Sequence, residues 1–181
     1  MGSINSPKPV LLLIAASSRY ESALTWGLQQ AEQQFGKTAL VSPAFEFTET
    51  DYYLEEMGTD LKKQFWVFEQ IIDPVSLAHM KLATNDLETE YRYKKLHPER
   101  RPLNLDPGYL TLAKLILAST KDHAHRVYLQ RGIYAEVTLQ FRGKAWQALP
   151  WTYPDYQRED FQAFFTECRE VLKKKLQPFP P

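Results

Sequence analysis

The segment from residue 103 to residue 136 constrains the fold of this chain more than any other. It reads LNLDPGYLTLAKLILASTKDHAHRVYLQRGIYAE, and its long apolar run must be buried on most sides. The pattern predicts a strand, a tight turn at 106–108, an apolar helix over 109–118 and then a pair of strands. In this interpretation Asp106 caps the start of the helix. Many polar and ionisable side chains surround the apolar run, so the segment is also a candidate site.

The alternation of apolar and polar residues over 133–141 predicts a strand with one buried face and one polar face. Opposite residues of an antiparallel pair share a face, which favours a register with a turn over 131–133 and a positive φ at Gly132. The expected cross-strand partners are Val127 with Val137, Leu129 with Ala135, Tyr128 with Glu136 and Arg126 with Thr138. A second hairpin at 143–144 is expected to pair Phe141 with Trp146.

Hydrophobic spacing and turn residues predict the remaining elements. The predicted elements are a strand at 10–16, a helix from a capping box at 18–21 to Gly36, a strand at 39–47, a helix over 61–72, a short helix after Asp73-Pro74, a helical or irregular stretch at 85–95, a surface loop at 96–102 and a helix over 158–175. Residues 80–84 fit a strand as well as a helix.

These elements predict an α/β (α+β) protein. We expect a disordered tail at 1–8 and a single domain at 9–177, built on a single-layer mixed sheet of about six or seven strands. The sheet ends in a C-terminal antiparallel meander and is flanked by helices. The strand–helix–strand start fits either a βαβ unit or the first half of a ferredoxin-like layer.

Charge and cysteine content exclude several classes of protein. Lys+Arg and Asp+Glu both count 22, so no net field attracts the chain to nucleic acid or to a membrane. The single cysteine excludes an intrachain disulfide, and we interpret Cys168 as a packing residue. No apolar run approaches the ~20 residues needed to span a bilayer, and no signal-peptide core is evident. The sequence therefore predicts a cytoplasmic protein.

Several longer motifs resemble a known family. The motifs are LNLDPGYLTLAKLILASTK, HRVYLQRGIYAEVTL and LPWTYPDY, together with FEFTETDYYLEEMG at 45–58 and KLATNDLE at 81–88. On these motifs the chain resembles, from about residue 8 to residue 175, the bacterial domain-of-unknown-function family numbered 4416. The resemblance implies a stand-alone bacterial protein of this size, without an established activity.

Members of that family sometimes carry a GTP-binding label, which the residues here do not support. A P-loop requires G-x-x-x-x-G-K-[ST], and no pair of glycines in this chain has that spacing. Residues 120–122 read TKD, which lacks the intervening residue of the guanine-reading N/T-K-x-D motif. The dinucleotide fingerprint G-x-G-x-x-G is absent as well. A bound nucleotide would therefore have to be held in another way.

The candidate site residues are chosen by the chemistry that each side chain can supply. Candidate catalytic residues, which would move a proton or bind a metal, are Asp106, His125 and Glu136. Candidate ligand-binding residues are Asn85, Lys121, Arg126, Tyr128 and Arg131. Candidate ligands for Mg²⁺ or Mn²⁺ are Asp51 and Glu56. Structural alternatives remain open: Asp106 as a helix cap, His125 as a hydrogen-bonding residue, and Arg126 in an ion pair with Glu136.

Two functional hypotheses follow from these residues. The first is a small enzyme or ligand-binding protein for a phosphorylated or nucleotide-like small molecule, held as an anion by the cationic residues. The second is a non-catalytic interaction protein, either a homodimer or an accessory subunit, with a partner surface formed by the aromatic loop 151–156 and the segment 45–58. RNA binding is disfavoured by the balanced charge.

Overall fold

One antiparallel sheet is the frame of the molecule. A computed structural model describes residues 2–49 and 54–177. The strands are β1 (Val10–Ser18), β2 (Thr38–Val41), β3 (Phe45–Glu46), β4 (Lys62–Ile72), β5 (Asn104–Leu110), β6 (Lys114–Ser119), β7 (Val127–Gln130), β8 (Ile133–Arg142) and β9 (Ala145–Ala148). The helices are α1 (Glu21–Phe35), α2 (Leu54–Met57), α3 (Leu77–Tyr93) and α4 (Glu159–Lys175).

The strand order is β2-β4-β1-β5-β6-β8-β7, with β3 paired to β4 and β9 paired to β8. Within it, β1-α1-β2-β4-α3-β5 has the ferredoxin-like β-α-β-β-α-β arrangement, because β4 lies between β1 and β2 and β5 lies on the other side of β1. The meander β6–β9 extends the sheet beyond β5. The α+β class is therefore confirmed. The expected mixture of strand directions is wrong, since every described pairing is antiparallel.

Helices cover both faces of the sheet, so its central strands are apolar on both sides. On one face α1 and α3 pack over a cluster that includes Leu12, Ile14 and Trp66. On the opposite face, which we call the α4 face, Phe161, Phe165 and Cys168 of α4 belong to a second cluster with alternate residues of β1 and β4. Cys168 is fully buried there, which confirms its interpretation as a packing residue. Among the described residues, no helix is both long enough and apolar enough to cross a membrane.

Two predicted helices are strands in the structure. Residues 62–72 form β4, and the predicted helix at 109–118 is the hairpin of β5 and β6, with a turn at Thr111–Ala113. Residues 109–118 are almost continuously apolar, whereas Leu61, Phe65, Phe68 and Ile72 recur at helical spacing. A strand covered on both faces has apolar residues at odd and even positions and can give either pattern. Asp106 therefore caps no helix and lies within β5.

Three smaller expectations also need correction. The predicted strand at 39–47 is divided into β2 and β3 around Pro43, which has no N–H to donate to a ladder. The capping box does not form, because α1 begins at Glu21 and the Ser18 hydroxyl donates to the carbonyl of Pro102 (2.6 Å). The helix after Asp73-Pro74 is not short: Asp73 caps a 3₁₀ turn that leads into the 17 residues of α3.

The hairpin of β7 and β8 exists, but its predicted register is wrong. Val127 lies opposite Ala135 and Tyr128 opposite Tyr134, with an irregularity before Gln130. The turn has two residues, Arg131 and Gly132, and both have positive φ (53° and 76°), as a tight hairpin turn requires.

Several other expectations are confirmed. The strand at 10–16, the end of the first helix at Gly36, the pairing of Phe141 with Trp146 and the final helix all occur as predicted. Residues 2–9 are exposed and have no regular secondary structure. The division into a tail and one domain stays a prediction.

Gly108 is required where β5 passes β6. A Cβ atom at this position would lie 2.3 Å from the carbonyl oxygen of Ile116 and 2.7 Å from Leu117 Cδ2. We expect Gly108→Ala to lower the free energy of unfolding by about 1–3 kcal/mol or more, because a backbone atom cannot move aside as a flexible side chain can. Urea unfolding measures the change. Gly2→Ala, which meets no atom within 4 Å, is the control, and equal stability of the two variants would contradict the close approach.

Candidate functional site

A gap between β5 and β6 opens a cavity in the sheet. β5 pairs with β1 over its whole length, from Asn104 to Leu110, but with β6 only from Gly108 to Leu110. Residues 104–107 therefore have a neighbouring strand on one side only. Pro107 suits this position, because its missing N–H falls on the side away from β1 and removes no bond to that strand.

Side chains of α3 complete the hydrogen bonds of β5 at the gap. Lys81 Nζ donates to the carbonyl oxygen of Leu105 (3.0 Å), and the N–H of Leu105 donates to Glu88 Oε1 (2.7 Å). Lys81 and Glu88 lie two helical turns apart on one face of α3. Glu88 also accepts two hydrogen bonds from Arg101 (3.0 and 3.1 Å). Burial raises the pKa of the Glu88 carboxyl, although the charges of Lys81 and Arg101 act in the opposite direction.

The resulting cavity, which we call the first cavity, has a volume of about 380 Å³, within the range of small-molecule sites. Its floor is the end of the α4 face, formed by residues of β4, β5, β6 and β8. Its charged lining residues are the cations Lys63, Lys81, Arg101, Lys121 and Arg126 and the acids Glu49, Asp106, Glu136 and Asp155. Its aromatic lining residues are Phe47, His123, Tyr153 and Tyr156.

Asp106 is held as a carboxylate at the centre of the floor. Lys81 Nζ donates to Asp106 Oδ1 (2.8 Å), and Asn104 Nδ2 donates to Oδ2 (2.8 Å). Burial alone would raise the pKa of the Asp106 carboxyl, but the charge of Lys81 and the hydrogen bonds from Lys81 and Asn104 hold it well below its ordinary value. Asp106 is therefore an ionised hydrogen-bond acceptor that faces the first cavity.

A second buried ion pair lies at the β8 side. The side chains of Arg126 and Glu136 are only 3% and 2% exposed, and Arg126 Nε donates to Glu136 Oε2 (2.7 Å). Arg126 also donates to Ser119 Oγ (2.6 Å), to the Lys121 carbonyl (3.1 Å) and to the Tyr153 hydroxyl (3.2 Å). Arg126 therefore ties three segments of the cavity wall together.

Glu136 has two further donors. His125 Nε2 donates to Glu136 Oε2 (3.1 Å), and Thr138 Oγ1 donates to Oε1 (3.2 Å). The His125 ring stacks on those of His123 and Trp151, at centroid distances of 5.9 and 5.3 Å. With these donors in place, Glu136 positions Arg126 and His125.

A third buried pair closes the opposite end. Lys63 Nζ is hydrogen-bonded to Asp155 Oδ2, and both side chains are at least nine-tenths buried. The ammonium lies 3.7 Å from the centre of the Phe47 ring and 5.2 Å from that of Tyr156, at cation–π distances. Asp155 belongs to the 3₁₀ turn Pro154–Gln157, so this pair fixes the aromatic loop over the sheet.

The structure brings together five of the ten predicted site residues. Asp106, Glu136, Asn85, Lys121 and Arg126 all line the first cavity, whereas His125 lies behind the wall. The side chains of Tyr128 and Arg131 are exposed and line neither that cavity nor the smaller one described below.

Of the two predicted metal ligands, only Glu56 lies within the described residues, and it does not line the first cavity. Glu56 lies near Arg101, with 4.0 Å between Oε2 and Nη1, and Asp51 lies outside the described residues. Within 2–49 and 54–177, no group of three or more His, Cys, Asp or Glu side chains is placed to hold a metal. The expectation of Mg²⁺ or Mn²⁺ stays a prediction.

Sequence reasoning missed Lys63, Lys81, Asp155 and the cavity-lining His123. Lys63 lies on the same strand face as Phe65, and Lys81 lies among the buried residues of α3, so each is a charged residue within a largely apolar pattern. That irregularity was the available signal, because a lysine is almost never fully buried without a partner.

The chain is therefore a small α+β protein with a ferredoxin-like antiparallel sheet, extended by a meander and opened at β5 into a charged cavity. The chain belongs to the family described as a domain of unknown function, DUF4416, whose family model matches residues 8–172. Comparisons with curated proteins and with solved structures found no match.

Loss of the Asp106 charge should change the acid sensitivity of the protein. Because the pKa of Asp106 is lower in the folded state than in the unfolded chain, its contribution to stability is complete above about pH 4 and is lost as the pH falls. We expect Asp106→Asn to reduce the slope of unfolding free energy against pH below pH 4 by up to ~1.4 kcal/mol per pH unit. Urea unfolding at several pH values measures it, with Asp86→Asn on the exposed side of α3 as the control. An unchanged slope would contradict the Lys81 pairing.

Removing the Glu136 charge should destabilise the fold. Glu136→Gln is nearly isosteric but leaves the buried Arg126 guanidinium without its carboxylate, and we expect a loss of about 3–5 kcal/mol. Glu170→Gln, at an exposed ion pair of α4, should stay within about 0.5 kcal/mol of the original protein. Denaturant unfolding compares them, and equal stability would show that Arg126 does not depend on this carboxylate.

Proposed function

We propose that the first cavity binds a small phosphorylated or nucleotide-like molecule. The observation that carries the proposal is a concave site in which five of the charged side chains are at least nine-tenths buried: Lys63, Lys81, Arg126, Glu136 and Asp155. Buried ion pairs are often no more stabilising than apolar residues of the same volume. Several of them around one cavity therefore favour a role in recognition.

The arrangement suits a ligand with both an anionic group and hydrogen-bond donors. Lys121 and Arg126 supply positive charge at the β8 side, and a guanidinium matches the oxygens of a phosphate. Asp106, ionised at the centre, accepts from a hydroxyl or amino group. Tyr153, at the rim, and His123 offer ring faces to a flat group such as a base.

Either an enzyme or a non-catalytic binding protein could have such a site. Asp106 is an ionised acceptor for a hydrogen bond from a bound group, and its lowered pKa makes it a weak base, whereas Glu136 is occupied by its own donors. A bacterial origin, which the resemblance implies, and a cytoplasmic location belong to the same proposal.

A ligand-induced thermal shift tests the proposal. A ligand present at 100 times its Kd adds ~2.7 kcal/mol of stability, which raises Tm by roughly 5–10 °C for a chain of this size. We expect such a shift with at least one member of a panel of nucleotides and sugar phosphates, each tested with and without Mg²⁺. Lys121→Gln should weaken that ligand about tenfold or more, since a hydrogen bond to a charged group contributes ~1.5–3 kcal/mol.

Lys114→Gln is the matched control, because Lys114 is exposed at the opposite end of β6. No shift across the panel would contradict the proposal. If light scattering then showed a stable dimer, the interaction hypothesis would be favoured. Its structural support is the edge strand β7, where Val127 and Tyr128 are 68% and 58% exposed and the unpaired edge is open to another chain.

A further inference from the structure

A second cavity lies on the far side of the Glu88–Arg101 pair. It has a volume of about 180 Å³, below the range of cavities that hold whole small molecules and suited to a group of few atoms. Its lining residues are Glu56, Glu88, Thr89, Arg92, Arg100 and Arg101. Arg101 lines both cavities.

The two carboxylates of this cavity are directed to one arginine. Glu88 accepts from Arg101 and from the backbone N–H of Leu105, and Glu56 Oε2 lies 4.0 Å from Arg101 Nη1. The loop between α3 and β5, which carries Arg101, is held in place as well, because the backbone N–H of Arg101 donates to the carbonyl of Glu56 (2.9 Å). Arg101 therefore sits in a fixed position at the cavity wall.

The other two guanidinium groups differ from Arg101. Arg92 extends from the last turn of α3 and Arg100 from the following loop, and both are exposed. Within the described residues, the structure gives neither side chain an acidic partner or a hydrogen bond. Two like charges in one small cavity repel each other, and an oxyanion between them would relieve that repulsion. A guanidinium fork also matches the oxygens of a phosphate.

We propose that Arg92, Arg100 and Arg101 form a second binding site, specific for a phosphate-class oxyanion, with Thr89 available as a hydroxyl donor. The site does not require a ligand in the first cavity. The oxyanion is either free phosphate or a phosphate group carried by a larger molecule, and both present the same oxygens to the three arginines.

Isothermal titration calorimetry of the full chain tests this site, first with inorganic phosphate and then with ATP as a carrier of phosphate groups. The variant is the double substitution Arg92→Gln and Arg100→Gln, which removes two exposed charges and should leave Tm unchanged. We expect it to weaken phosphate binding at least tenfold. Arg142→Gln, which removes an exposed charge at the end of β8, should bind as the original protein does.

Each outcome has a defined meaning. Loss of phosphate binding in the double variant supports a site for the free ion, and the same loss seen with ATP alone supports a site for a carried phosphate. Binding that is absent, unchanged in the double variant or equally weakened by Arg142→Gln would overturn the proposal. Lys121 lines the first cavity and not the second. The effect of Lys121→Gln on ligand binding therefore tests the proposed function separately from the second site.

Discussion

The cavity depends on the hydrogen bonds and the ion pair that the ammonium group of Lys81 makes. This group bonds to the Leu105 carbonyl and to Asp106 at the place where β6 diverges from β5. Together with Glu88, it supplies the hydrogen bonds that a neighbouring strand would otherwise supply. Buried backbone groups must be paired, so the sheet can open at this point only because α3 provides the partners. The opening in turn exposes the polar end of the α4 face.

Charge balance is the second property that follows from this construction. Each of Lys63, Lys81 and Arg126 is paired with a carboxylate of the same cavity. A buried charge without a partner would be strongly destabilising, which explains why cations and acids occur there in similar numbers. A bound molecule therefore meets acceptors as well as donors, and selectivity depends on where its own charges lie.

Local patterns predicted the parts of the molecule that depend on neighbours in sequence. The strand at 10–16 follows from a continuous apolar run, the β8–β9 hairpin from alternation and the last helix from helical spacing. The contact between Arg126 and Glu136 was one of the two alternatives considered. The two incorrect helices are strands covered on both faces, whose apolar residues at odd and even positions reproduce the pattern of a buried helix. The order of the strands in the sheet brings Lys63, Lys81 and Asp155 together. No short stretch of the sequence specifies that order.

The packing of α4 has a chemical consequence. Cys168 is the only thiol of the chain and is completely covered by the aromatic cluster, and burial raises its pKa above the ordinary value for cysteine. The thiolate is the reactive form, so alkylating and oxidising agents have no access to it while the helix is docked. Modification of this sulfur therefore reports the undocking of the C-terminal helix, and the native chain carries its own probe of that motion.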